Sequence, residues 1–192
     1  MKQILQLCGK LGLQLCCVLL IGCGGGKSAS WQEEVELSDH RVIAISRKES
    51  WSVYRQFGES PSYQPDSQHL VVELSKERVE WSGRAEGPLL LDVDPRTGEY
   101  VLVVLPYGCV RYADFGKPKP PYVEYRLRNG TWQQAASLSH ALIGRKPNLL
   151  MFPNWDGESP TVTLQMKQQR NAARIDILAY KMIVADGGLS GC

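Results

Sequence analysis

The chain has 192 residues, 43% of them hydrophobic and 22% charged, a composition that fits one globular domain and excludes a disordered chain. Eighteen glycines and 11 prolines favour turns over long helices. Residues 1–22 hold Lys2 and Lys10 and no acid, so of the 22 basic and 20 acidic side chains the remainder carries 20 of each. A neutral body without a basic run argues against nucleic acid as a partner, because phosphate binding needs clustered Lys and Arg.

Residues 11–21 (LGLQLCCVLLI) form an apolar run behind the two lysines. As a helix this run spans about 16 Å, half of the ~30 Å hydrocarbon core, so a secretory signal is expected rather than a membrane span. Leu20-Ile21-Gly22-Cys23 resembles the bacterial lipobox, in which a small residue precedes the cysteine whose thiol takes a diacylglyceryl group. The resemblance implies a lipoprotein signal peptide over 1–22 and Cys23 as the lipidated first mature residue. It implies a flexible tether over 23–30, a single domain over 31–192 and a lipid bilayer as partner through the anchor. Gly24 stands where the enterobacterial inner-membrane retention signal has Asp, which implies the outer membrane, facing the periplasm. The stretch Gly22–Ser28 (GCGGGKS) is not a phosphate loop, since Ile21 occupies the place of the first glycine in G-x-x-x-x-G-K-[ST].

From Trp31 onward, short apolar alternations punctuated by turns read as consecutive hairpins. Val35 and Leu37 lead through Ser38-Asp39-His40 to Val42–Ile45. His69–Leu74 and Arg78–Trp81 flank Ser75-Lys76-Glu77. Leu89–Val93 and Tyr100–Leu105 flank Asp94–Gly98, and Tyr122–Leu127 and Thr131–Gln133 flank Asn129-Gly130, the strongest hairpin signal in the chain. Glu59–Gln68, polar with two prolines, reads as a surface loop. Ser137 or Ser139 caps a short helical turn through Leu142 that Gly144 ends. Thr161–Met166 alternates as a strand, while the stretch from Lys167 to Val184 reads as either helix or strand. The expected fold is mainly β: an antiparallel meander of hairpins forming a sandwich or open barrel, with one or two short helical segments.

Cys8, Cys16 and Cys17 leave with the signal peptide and Cys23 is lipidated, so Cys109 and Cys192 remain, either as a disulfide or as two free thiols. No Cys/His cluster survives to bind a metal, and no cofactor motif is present. His40, His69 and His140 carry no local hydrolase signature such as G-x-S-x-G. Asp92 and Asp94 stand two apart at a strand end. They could serve as paired carboxylates on a sugar, but Asp94-Pro95 reads better as the start of a turn.

The densest segment is Pro106–Tyr125 (PYGCVRYADFGKPKPPYVEY). Tyr107, Arg111, Tyr112, Phe115, Lys117 and Tyr122 make it a candidate binding surface, because Tyr and Arg concentrate at hot spots. Equally, a proline-stiffened crossover loop pinned by Cys109 would need the same residues. LLLDV, PYGCVRY and GKPKPPYVEYRLRNGTW, over Leu89–Gln133, resemble an uncharacterised family of proteobacterial lipoproteins and exported proteins, a likeness that implies location but no activity. The expected function is a non-enzymatic binding or scaffolding component of the cell envelope, with an envelope protein or glycan as partner. The alternatives are a periplasmic hydrolase of envelope glycan or peptide, and an inhibitor of a hydrolase.

Overall fold

The structure is a computed structural model that describes residues 26–54, 62–74, 77–151, 161–172 and 182–192. Residues 1–22, expected to be a signal peptide, and Cys23 lie outside the described residues. Among the described residues nine strands form two sheets: β1 (Lys27–Glu36), β2 (Val42–Tyr54), β3 (Ser62–Glu73), β4 (Arg78–Arg84), β5 (Glu86–Val93), β6 (Tyr100–Pro106), β7 (Val123–Arg128), β8 (Thr131–Gln134) and β9 (Thr161–Val162). The first sheet runs β4-β3-β2-β1-β9 and the second β5-β6-β7-β8, antiparallel except for β9 beside β1. The strands of all four expected hairpins pair antiparallel; Ser75 and Lys76, in the second turn, lie outside the described residues. Asn129 (φ 52°) and Gly130 (φ 72°) turn β7 into β8 with both central residues left-handed, the geometry that matches the twist of a two-residue hairpin.

The two sheets face each other across one core. Val35, Leu37, Ile45, Leu70, Val72, Val79 and Trp81 of the first meet Leu91, Val93, Leu102, Val104 and Val123 of the second. The other face of the second sheet is covered as well, with Leu90, Val101 and Val103 under Leu142 and Ile183. Burial on both faces explains why β5 and β6 read as continuous apolar runs instead of alternating. The chain crosses from one sheet to the other at Ala85 (φ 51°), whose N–H donates to the Asp66 carbonyl and whose carbonyl accepts from the Tyr107 N–H. Asn148 joins the sheets from outside. Its side chain accepts from the Leu91 N–H at 3.0 Å and donates to the carbonyls of Leu91 (2.8 Å) and Glu36 (3.0 Å).

Four expectations are corrected. Lys27–Ser30, read as tether, belong to β1, because the long β2 offers them a ladder from Lys48 to Trp51. Ser62–Gln68, read as loop, belong to β3. Pro65 is tolerated because the register shifts beside it, with Trp51 pairing Pro65 and Ser50 pairing Ser67, so that Asp66 is skipped. Glu59–Pro61 lie outside the described residues. Thr161–Met166 is strand only at Thr161–Val162, and helix α2 (Leu164–Ala172) follows. The Thr163 hydroxyl accepts the Met166 N–H and the Glu34 carboxylate accepts the Leu164 N–H, two caps on the first helical turn. The open question at Lys167 is thus settled as helix through Ala172; 173–181 lie outside the described residues. The crossover segment holds a helix, α1 (Gly108–Asp114), which no propensity signal marks. His140–Leu142 forms the expected short turn, of 3-10 type, with Ser139 at its N-cap position.

Asn148→Ala strands a buried N–H and carbonyl at Leu91, and should cost about 2–3 kcal/mol. Urea unfolding checks it: a lower midpoint at constant m-value is expected, and an unchanged midpoint would remove Asn148 as the link between the sheets.

Candidate functional site

Strand alternation places Trp31, Glu33, Val35 and Leu37 on one face of β1, and Ile45, Arg47, Glu49 and Trp51 on the same face of β2. Charged residues therefore sit in phase with apolar ones and are carried into the interior. Glu33 is fully buried. One carboxylate oxygen accepts from the Leu150 N–H and the Lys167 ammonium, both at 2.6 Å. The other accepts from Trp31 Nε1 (3.2 Å) and Arg47 Nη1 (3.3 Å). Arg47 lies over the Trp31 ring at 4.8 Å, donates to the Leu150 carbonyl at 2.5 Å, and reaches Gln68 Oε1 at 3.2 Å. Gln68 in turn donates to Glu49. A continuous polar chain thus runs Lys167–Glu33–Arg47–Gln68–Glu49 through the interior.

The two ends of the chain are electrostatically opposite. Burial pushes the Glu33 carboxyl up, but the charges of Lys167 and Arg47 with their hydrogen bonds outweigh it and hold the group below its ordinary range. Glu49 has no such company: burial raises its carboxyl to about 8, and the Arg47 charge opposes this only in part. Glu49 is therefore mainly protonated at neutral pH. Burial also pushes the Tyr107 phenol up, helped by the Glu49 charge. Glu49 Oε2, Arg47 Nε and the Tyr107 hydroxyl are buried without hydrogen-bond partners among the described residues. Gly87 makes room for that hydroxyl, since a Cβ there would lie 2.3 Å from it.

Tyr107 is also where the interior meets the surface. It lines a groove of about 470 Å³ with Pro65, Asp66, Arg84, Val110, Arg111 and Asp114. Helix α1 forms one wall, and three constraints hold it. Cys109 is disulfide-bonded to Cys192, with Cα atoms 5.2 Å apart. Arg111 pairs with the buried Glu86 and with Asp114, its guanidinium over the Phe115 ring at 4.2 Å. Tyr112 is buried, its hydroxyl donating to the Pro118 carbonyl at 2.9 Å.

The six residues read as one binding surface are divided by the fold. Tyr107 and Arg111 line the groove. Tyr112 is buried, Phe115 packs against the main core, and Tyr122 packs against the second cluster, so these rings hold the segment down. Lys117 (φ 56°) donates to the Cys192 carbonyl at 3.0 Å and ties down the C-terminus. The groove residues Pro65, Asp66 and Arg84 come from distant strands, and no local pattern could have singled them out.

The remaining candidates have structural partners. Asp94 accepts from the Arg96 N–H and from Arg126, which also pairs with Glu99 and the buried Glu124. The hydrogen bonds of Arg128 and Arg126 hold the Glu99 carboxyl at about 2. Asp92 accepts from the Ser38 and Val93 N–H groups and pairs with Arg145. The space between the two aspartates is about 30 Å³, too small for a sugar ring. His40 is exposed beside Glu36, and His140 is exposed at the 3-10 turn. His69 Nδ1 lies 2.8 Å from Ser82 Oγ and its Nε2 lies 3.5 Å from Glu80. The order is that of a nucleophile, a base and an acid, but the three form cross-strand neighbours on the outer face of the first sheet, with Glu80 also bound by Arg78. Among the described residues no group of His, Cys, Asp and Glu is placed to hold a metal ion.

Comparison with protein-family models, curated proteins and solved structures found no match to this chain.

The two carboxyls impose opposite pH dependences. Glu33, held low, contributes stability present above pH 4.5 and lost as pH falls. Glu49, held high, contributes stability that is full below pH 4.5 and lost as pH rises through about 8. Between those values the Glu49 slope approaches about 1.4 kcal/mol per pH unit. Glu49→Gln keeps an acceptor for Gln68 and should flatten the decline between pH 5 and 8. Urea titrations across that range check this, and an unaltered slope would show Glu49 ionised in the fold.

Proposed function

We propose that this chain is a lipid-anchored, non-enzymatic binding component of the bacterial envelope, tethered through Cys23 to the periplasmic face of the outer membrane. The observation that carries the binding reading is the groove beside α1. It combines a strongly exposed aliphatic side chain, Val110, with two guanidinium groups and two carboxylates on a wall fixed by the disulfide and the Arg111–Glu86 pair. Rigid walls of this kind lower the entropy lost on binding. The polar chain from Lys167 to Glu49 lies inside the sheet and does not line the groove. The anchor rests on the lipobox resemblance of Leu20–Cys23.

A hydrolase is the second reading, and the Ser82–His69–Glu80 contacts are the observation that favours it. A working triad also needs donors for an oxyanion and a shaped site for the substrate. None of the cavities described above is lined by any of these three residues.

Two measurements separate the readings. A fluorophosphonate probe should leave the protein unlabelled; labelling of Ser82 that His69→Ala abolishes would replace binding by hydrolysis. A photo-cross-linking residue at position 110 should give an adduct in intact cells that the same residue at position 42, at the far end of β2, does not. Equal yields at both positions would remove the groove as the binding site.

A further inference from the structure

The groove lies at the end of the sandwich where the chain enters it. Lys27 opens β1 opposite Trp51, and Trp51 pairs with Pro65, which lines the groove. Arg84 ends β4 and Tyr107 follows β6 at this same end. The β1–β2 turn lies nine residue pairs further along the ladder, about 30 Å away. Lys27 stands only four residues after Cys23, a reach of at most about 14 Å. A lipid on Cys23 therefore holds the groove end against the membrane and points the β1–β2 turn away from it.

The chemistry of that end suits such a neighbour. Val110 is 81% exposed on α1, next to the disulfide-bonded Cys109. Tyr63 is 43% exposed, with the Lys27 ammonium 4.6 Å from its ring centroid. An aromatic ring beside a cation is the pairing found where protein meets headgroups. Between them the groove presents Arg84 with Asp66 and Asp114, while the Arg111 guanidinium is held by the buried Glu86. The Arg84 side chain is 85% exposed and its contact with Asp66 is a loose 3.8 Å, so it can exchange that partner for a phosphate. A zwitterionic phospholipid offers a phosphate to Arg84 and an ammonium to the carboxylates.

We propose that this end of the sandwich is a bilayer-docking surface whose partner is the zwitterionic phospholipid headgroup. Val110 sits among the headgroups, and Arg84 with Asp66 and Asp114 meets their two charges. The proposal deepens the binding reading and rests on the anchor at Cys23. Docking through the groove orients the body, so that the opposite end, with Val42, is the part presented to the periplasm.

The test uses the full lipoprotein reconstituted in vesicles of phosphatidylethanolamine and phosphatidylcholine, with a bimane on a cysteine introduced by Val110→Cys or by Val42→Cys. Lipids carrying a nitroxide near the headgroup should quench the probe at 110 several-fold more than at 42, and aqueous iodide should show the reverse. Arg84→Glu should cut the contrast several-fold, while Arg78→Glu, a change at an exposed charge at the far end of β4, should leave it unchanged. Equal quenching at 110 and 42 in protein that floats with the vesicles would overturn the docking surface and leave the anchor standing. Protein that fails to float would overturn both. A contrast that survives Arg84→Glu would overturn the headgroup recognition.

Discussion

The Glu33 carboxylate is the constraint on which the assembly turns. Its donors come from four parts of the chain: Trp31 on β1, Arg47 on β2, the Leu150 backbone and Lys167 on α2. Lys167 itself spends its remaining donors on the carbonyls of Glu34 and Asn148, both at 2.6 Å. Burial pulls the Lys167 ammonium below its ordinary range, against the opposing pull of the Glu33 and Glu34 carboxylates. Such a cluster contributes little net stability compared with apolar packing, but removing one partner leaves an uncompensated buried charge at about 3–5 kcal/mol. Its effect is specificity. The Leu150 N–H and the Lys167 ammonium both depend on Glu33, so the cluster places Asn148–Met151 and α2 together, with Leu149, Leu150 and Met151 buried.

The legible part of the fold was the part whose information is local. Asn129-Gly130 and Asp94–Gly98 announce their turns because few residues accept those backbone angles, and the apolar runs between them give the strands. What was not legible depends on distant partners. Helix α1 has no side-chain cap and starts Gly-Cys-Val; it exists because the disulfide, Glu86 and the buried Tyr112 hold it. Helix α2 begins where Glu34, over 100 residues earlier in the chain, meets its first N–H. One signal was present and unread. In Trp31-Gln-Glu33-Glu-Val35 and Ile45-Ser-Arg47-Lys-Glu49-Ser-Trp51, charges share the phase of the apolar residues, and that phase marks them for burial.

The candidate site shows the same division. Cys109 and Cys192 could be paired by elimination, and the structure joins them. The aromatic richness of Pro106–Tyr125 reflects anchoring more than display, with Tyr112 and Tyr122 turned inward and only Tyr107 and Arg111 left on the groove. The disulfide and the Lys117 contact bring the C-terminus to the same end of the molecule as the first strand residue. On the proposed reading, anchor, groove and chain terminus all gather at the membrane.

A membrane-anchored body closed by one disulfide has a definite mass, read from the intact protein of the membrane fraction with and without reductant. The expected species begins at Cys23, carries acyl mass and gains a pair of hydrogens on reduction. A soluble chain that retains Met1 and is unchanged by reductant would contradict it.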